Sequence, residues 1–158
     1  MKNRNLDHCD RWATPLDFFE QLNKEFNFNF DPCPYDWIAD IHKDGLLIDW
    51  KERNFINPPY SQKLKEQFII KALEESKKGK LCILLIPVST STKIFHNIIQ
   101  PNAKQIRFVK GRIPFIGINS KGEYVNWHKW DKKAPDNIKR VKNSGQHDSM
   151  IVIFDGRL

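Results

Sequence analysis

The sequence predicts an α/β protein with a mainly parallel sheet and helices on both faces. Three observations predict it. Two amphipathic segments, ATPLDFFEQLNKEFN and KLKEQFIIKALEESKKGK, alternate along the chain with short apolar runs. One of those runs, LCILLIPVST at 81–90, is apolar at successive positions, as a central parallel strand covered on both faces should be. Strand and helix also alternate in order, the pattern of layered α/β folds.

Residues 1–13 read as a polar lead-in. In the first helix Thr14 is a candidate N-cap and Pro15 takes the first helical position, where its missing N–H is not needed. Phe18, Phe19, Leu22 and Phe26 then share one face of about three turns. FNF at 28–30 alternates as a short strand that ends at Asp31-Pro32. FIN at 55–57 is another short strand, running straight into Pro58 and Pro59. The second helix stops at Gly79. A third short helix, STKIFHNIIQ, is expected to end at Pro101. A strand and a turn at Gly111 follow within KQIRFVKGRIPF, and DSMIVIFDG at 148–156 is the last strand. Residues 119–147 show no clear periodicity and read as an inserted loop, basic and aromatic, with seven Lys/Arg against three acids and Tyr124, Trp127 and Trp130 among them.

The 158 residues suffice for a single domain with a sizeable core, and 40% hydrophobic content argues for a folded chain. The net charge is +7 and the pI about 9.3, which fits an anionic partner, nucleic acid first; a merely basic soluble protein is the alternative. Cys9, Cys33 and Cys82 are widely spaced without a CxxC pair, so neither a zinc site nor a disulfide framework is expected. His8, Cys9 and Asp10 read as a solvated turn, and no metal is expected. Thiols of this kind suit a reducing cytoplasm. No stretch reaches transmembrane length, and MKNRNLDHCD lacks the apolar core of a secretory signal.

Ligands of open α/β sheets bind at the carboxyl ends of strands. Asp31-Pro32 and Asn57-Pro58-Pro59-Tyr60 both follow strands, so both are expected on one rim. The second segment is unusual. Two prolines end strand pairing and make a stiff, extended stub with an amide at its front and an aromatic ring behind. That is a device for holding a flat group.

NPPY resembles the catalytic motif of amino-group methyltransferases that use S-adenosyl-L-methionine. The wider order is DRWATPLDFFEQL, FNFDPCP, DGLLIDW, FINPPYS, ILLIPVSTST, VKGRIPF and SMIVIF. From about residue 11 to 155 it resembles the phage-type Dam family of DNA N6-adenine methyltransferases. The resemblance implies a Rossmann-like methyltransferase fold over 1–158 with a final antiparallel strand. It also implies S-adenosyl-L-methionine as cofactor, double-stranded DNA as partner, no membrane, and the cytoplasm of a bacterial or phage-infected cell. Protection of phage DNA from restriction would follow from it as well. The recognised DNA sequence and the oligomeric state are not specified.

Chemistry supports the motif. The exocyclic nitrogen of adenine is a poor nucleophile because its lone pair is delocalised into the ring. Two hydrogen-bond acceptors on its two N–H groups localise that lone pair toward the methyl donor. The Asn57 side-chain oxygen and the Pro58 carbonyl would be those acceptors, with Pro58 and Pro59 stiffening the stub. Tyr60 would stack on a base flipped out of the duplex.

For the cofactor the resemblance implies Thr14 and Pro15, Asp31, Pro32 and Cys33 of DPCP, and Asp44, with Asp49 ranking second to Asp44. The alternatives are a turn carboxylate or helix N-cap for Asp31, a plain helix cap for Thr14, and an exposed loop acid for Asp44 or Asp49. The glycines usual after such an acid are replaced by Pro34, Tyr35 and Asp36. For DNA it implies Arg112 and Phe115 of GRIPF, with core packing the alternative for Phe115. In the insert, Lys129, Lys132, Lys133, Lys139, Arg140 and Lys142 would contact phosphate, while Trp127 and Trp130 would stack or wedge at the vacated base. Three readings compete with DNA adenine. The same chemistry serves an RNA adenine or a protein glutamine. Cytosine N4 is a weaker option, since serine more often stands at the Asn57 position there. A catalytically inactive DNA-binding module is favoured only by the glycine-poor turn.

Overall fold

A computed structural model describes residues 12–34, 44–127, 139–143 and 145–158. In chain order the elements begin with β1 (Trp12–Ala13), α1 (Leu16–Phe26), β2 (Arg53–Ile56), α2 (Gln62–Ser76) and β3 (Leu81–Pro87). A π-helical turn, Phe95–Ile99, then leads into α3 (Gln100–Asn102). The chain continues through β4 (Gln105–Phe108), β5 (Ile116–Ile118), β6 (Tyr124–Val125), β7 (Arg140–Val141) and β8 (Ser149–Asp155).

The architecture is mixed α/β with two sheets. The main sheet has the order β2-β3-β8-β4 and the small one β1-β5-β6-β7. Within the main sheet β2 and β3 are parallel, and a parallel bridge joins Phe30 to Asn54 beside them. β8 is antiparallel to both β3 and β4. The main sheet is therefore mixed: β2, β3 and β4 run in one direction, the final strand β8 is reversed, and β3 has one parallel and one antiparallel neighbour. Composition could not tell the two apart: an apolar strand records burial of both faces, not the direction of its neighbours. The FNF strand is likewise reduced to the single bridge at Phe30.

Strand alternation divides the core. Ile56, Cys82, Leu84, Ile86, Met150, Val152 and Phe154 pack with Phe68, Ile69, Ala72 and Leu73 of α2 and with Phe95 and Ile99 of the π turn. Phe55, Leu81, Ile83, Leu85, Ile151 and Ile153 pack on the other face with Leu22, Phe18, Phe19 and Phe26 of α1. The apolar stripe read from the sequence is thus the face that α1 buries, and helices cover both faces of the sheet.

Helix ends follow local chemistry. α2 closes where expected: Gly79 takes φ +91° and its N–H meets the Ser76 carbonyl at 2.9 Å. α1 does not start as expected. Its cap is Pro15, extended at ψ 140° and without a side-chain cap bond, so Thr14 lies one residue outside the helix. The Thr14 hydroxyl is turned to Asn57 instead. Pro101 does not end the third helix but lies inside α3, which closes at Asn102. Proline offers no N–H for the next α-type bond, and the Gln100 N–H reaches back five residues to Phe95 in the wider π register.

The region 119–147, expected as an inserted loop, contributes β6 and β7. Strands of two residues are too short to show a period. Asn119 builds the β5–β6 turn, its side-chain oxygen accepting from the N–H groups of Lys121 (3.0 Å) and Glu123 (2.9 Å). Lys129, Trp130, Lys132 and Lys133 lie outside the described residues, as does Cys9. Among the described residues no helix is long and apolar enough to cross a membrane, and no three His, Cys, Asp or Glu side chains are grouped to hold a metal.

One buried ion cluster joins the helical layer to the loops before β2. The Glu75 carboxylate is fully buried and meets Lys80 at 2.8 Å, Lys71 at 2.9 Å and the Trp50 N–H at 3.1 Å. The Trp50 indole N–H donates to the Gly45 carbonyl at 2.6 Å. Gly45 lies so close to Pro32 that a Cβ there would run into the Pro32 carbonyl. A chain of contacts therefore runs from the end of α2 to the Asp31 turn.

Candidate active site

β2 ends at Ile56, and Asn57 is the first residue beyond the sheet. Pro58 and Pro59 are buried behind it, which fixes the course of the stub. Thr14, Asp31, Cys33, Asn57, Pro58 and Pro59 line one cleft of about 330 Å³, with Trp12, Phe19 and Phe55 supplying apolar walls. The expected common rim is present: the turn after Phe30 and the stub after β2 share this cleft.

The Asn57 amide is held from one side. Its Nδ2 donates to the Trp12 carbonyl at 2.6 Å and to the Thr14 hydroxyl oxygen at 3.1 Å. A carbonyl at that distance tolerates only a donor, so the nitrogen must face β1. The oxygen, Oδ1, is sealed from solvent and meets no donor among the described residues. A buried acceptor without a partner costs about 1–3 kcal/mol and calls for a reason.

Tyr60 stands at the centre of an aromatic cluster. Its ring stacks on Trp12 (centroids 6.4 Å apart, 25° between planes) and meets Phe115 and His147 edge-on at 6.0 and 6.2 Å. Burial pushes its hydroxyl pKa above the ordinary value, so the ring stays neutral. Trp12, Tyr60, Phe115, His147, Lys121 and Lys142 line a second cleft of about 560 Å³. Trp12 borders both clefts.

The remaining sequence-predicted residues separate into groups. Asp31 is exposed at the first cleft, and its Oδ1 accepts from the Cys33 N–H at 2.9 Å, an Asx turn that closes the loop without glycine. Pro32 is buried under that turn, and Pro15 caps α1; neither lines the cleft. Asp44 is buried rather than exposed, its Oδ1 accepting from the Leu46 N–H at 2.9 Å, and it lines neither cleft. Asp49 pairs with Lys78 at 3.1 Å and also lines neither.

On the second cleft, Phe115 is in place, whereas Arg112 is exposed beside Asp148 at 3.5 Å. Trp127 belongs to the small sheet: its indole N–H donates to the Gly117 carbonyl at 2.9 Å and its ring meets Tyr124. Lys139 pairs with Glu123 at 3.0 Å. Arg140 is half-buried in β7, and its Nε and Nη2 find no acceptor among the described residues. Sequence reasoning missed Trp12 and His147. Trp12 directly precedes the Ala-Thr-Pro that opens α1, but nothing local marks a two-residue strand whose carbonyl holds Asn57.

Comparison with known proteins bears on the same residues. The family model described as DNA N-6-adenine-methyltransferase (Dam) matches residues 2–155. A DNA N-6-adenine-methyltransferase of Haemophilus phage HP1 (strain HP1c1) is 34% identical over 132 residues, covering 77% of this chain and 74% of the relative. No solved structure gives a significant match. With the family match spanning both clefts and the stub between them, the chain belongs to the DNA N-6-adenine-methyltransferase (Dam) family.

Proposed function

We propose that Asn57, Pro58, Pro59 and Tyr60 carry the reaction of this family, methylation of the N6 amino group of adenine in DNA, with S-adenosyl-L-methionine as donor. The observation that carries the proposal is the Asn57 amide: its nitrogen is fully engaged while its buried oxygen meets no donor among the described residues. One N–H of adenine N6 satisfies that oxygen, and the Pro58 carbonyl takes the other. Both acceptors sit on a stub stiffened by buried prolines, so little reorganisation accompanies the reaction. The oxygen is sealed in the free protein, so an entering base has to displace a neighbour.

The cofactor supplies an electrophilic methyl group on a sulfonium. The first cleft suits it: about 330 Å³, largely apolar walls and the exposed Asp31 carboxylate for an ammonium group. Thr14 and Cys33 lie along the same cleft. Pro15 and Pro32 support its walls from behind, through the cap of α1 and the contact of Gly45 with Pro32. The main sheet supports a Rossmann-like methyltransferase reading, because β2, β3 and β4 run in one direction and the final strand β8 is reversed.

Duplex DNA approaches from the second cleft. Tyr60 and Phe115 offer ring surfaces for the flipped adenine, and Lys121 and Lys142 bring positive charge. Trp127 and Arg140 belong to the small sheet, Arg112 is exposed beside Asp148, and Lys129, Trp130, Lys132 and Lys133 extend the basic segment in sequence.

Calorimetric titration with S-adenosyl-L-methionine tests the cofactor assignment. One site per chain is expected, and Asp31→Asn is expected to weaken binding about tenfold, the effect of losing one charge-assisted contact. Undetectable binding to the parent protein would refute the assignment. Tyr60→Ala is expected to lose roughly 1–3 kcal/mol of base stacking. It would be read as a weaker fluorescence rise with duplex carrying 2-aminopurine at the target position.

A further inference from the structure

We infer that Thr14 is a positioning residue for the reaction: its hydroxyl, beside the Trp12 carbonyl, is the second anchor that holds the Asn57 amide in the orientation presenting Oδ1 to the substrate. The inference rests on the catalytic reading of Asn57. An asparagine amide turns about its last torsion with little preference, so its orientation is set by neighbours. Asn57 has two such neighbours, both from the segment joining β1 to α1. The Trp12 carbonyl takes Nδ2 at 2.6 Å and the Thr14 Oγ1 takes it at 3.1 Å.

Thr14 has no competing local duty there. It does not cap α1, whose cap is Pro15 and which receives no side-chain cap bond. Trp12 in turn is fixed by β1, where Trp12 pairs with Gly117 of β5 and Ala13 with Ile116. The small sheet therefore holds the segment, and the segment holds the amide. With Thr14 changed to valine, one N–H of Asn57 loses its acceptor at nearly constant side-chain volume. The amide then hangs on the Trp12 carbonyl alone and can swing about that bond, and a misplacement on the scale of 1 Å costs as much as about a hundredfold in rate.

The test is steady-state kinetics of Thr14→Val and Thr14→Ser, with Asn57→Ala alongside. Thr14→Val is expected to lower kcat about ten- to a hundredfold. KM for S-adenosyl-L-methionine and for DNA should stay within about threefold, a shift too small to account for the loss. Thr14→Ser, which keeps the hydroxyl, should stay within about threefold of the parent kcat, because the bond to Asn57 remains. Three results would overturn the inference: an unchanged kcat in the valine variant, a loss confined to KM for the methyl donor, or a serine variant as impaired as valine. The second would make Thr14 a cofactor contact and the third a packing residue. Thr14→Ala replaces valine if that protein melts early. Asn57→Ala separates the two claims, since full activity there would refute the catalytic reading whatever Thr14 does.

Discussion

Asn57→Ala is expected to lower adenine methylation by about 10²–10³-fold while S-adenosyl-L-methionine still binds within a few-fold of the parent. The magnitude is that of removing one preorganised hydrogen-bonding group from a site of developing charge. The reasoning is local. Oδ1 is sealed from solvent and meets no donor among the described residues, and alanine leaves the stub with the Pro58 carbonyl as its acceptor for adenine N6. The cleft walls formed by Phe19, Phe55 and the Asp31 turn do not depend on the amide, so cofactor affinity is retained. Single-turnover rates with saturating DNA, together with a binding titration, read the two quantities separately. A variant that lost cofactor binding to the same degree would show that Asn57 acts on the cleft rather than on the base.

Glu75→Ala is expected to be among the most destabilising single changes in the described core, at about 3–5 kcal/mol. The carboxylate has no solvent exposure and closes bonds to Lys80, Lys71 and the Trp50 N–H. Removing it leaves a buried N–H without an acceptor and two half-buried lysines without their counter-ion. The Trp50–Gly45–Pro32 contacts loosen with it, so the Asp31 turn should lose order and cofactor affinity should fall as well. For a chain of this size the melting temperature should drop by roughly 6–20 °C, at about 2–4 °C per kcal/mol.

Acid adds a second signature. Burial pushes the Glu75 carboxyl up, but hydrogen bonds from Lys80, Lys71 and Trp50 outweigh it and hold the pKa at about 2, below the ordinary 4.5. A carboxylate whose folded pKa is lowered stabilises the fold above its unfolded value. That stability is lost as pH falls from about 4.5 toward 2. Denaturant midpoints measured across that window should fall more steeply for the parent than for Glu75→Ala, which keeps the lowered carboxyl of Asp155. Parallel slopes would show that Glu75 is not the group responsible.

Much of this was legible before any coordinates. Phe18, Phe19, Leu22 and Phe26 marked the buried face of α1, and the Pro-Pro stub after FIN marked the cleft. The common rim followed from two strand ends carrying Asp31 and Asn57. Other features left no trace, for physical reasons. β3 is apolar because both its faces are covered, so its composition was silent about the antiparallel β8. The two-residue strands β1, β6 and β7 are shorter than any readable period, which hid the small sheet and with it the role of Trp12. Thr14 carried a true signal with the wrong partner: its hydroxyl was needed, but by Asn57 across the fold and not by the helix beside it. For Asp44, expected as a cofactor contact with an exposed loop acid as the alternative, burial depends on packing that sequence alone does not express.

The central claim is that the Asn57 stub methylates adenine N6 in DNA. Its most direct test is transfer of labelled methyl from S-adenosyl-L-methionine to unmethylated duplex DNA. The DNA is then digested to nucleosides, identified by mass spectrometry, for the parent and Asn57→Ala. Label in N6-methyladenine that disappears in the variant is the predicted result. Label in another nucleoside, or N6-methyladenine formed equally well without the Asn57 amide, would contradict it.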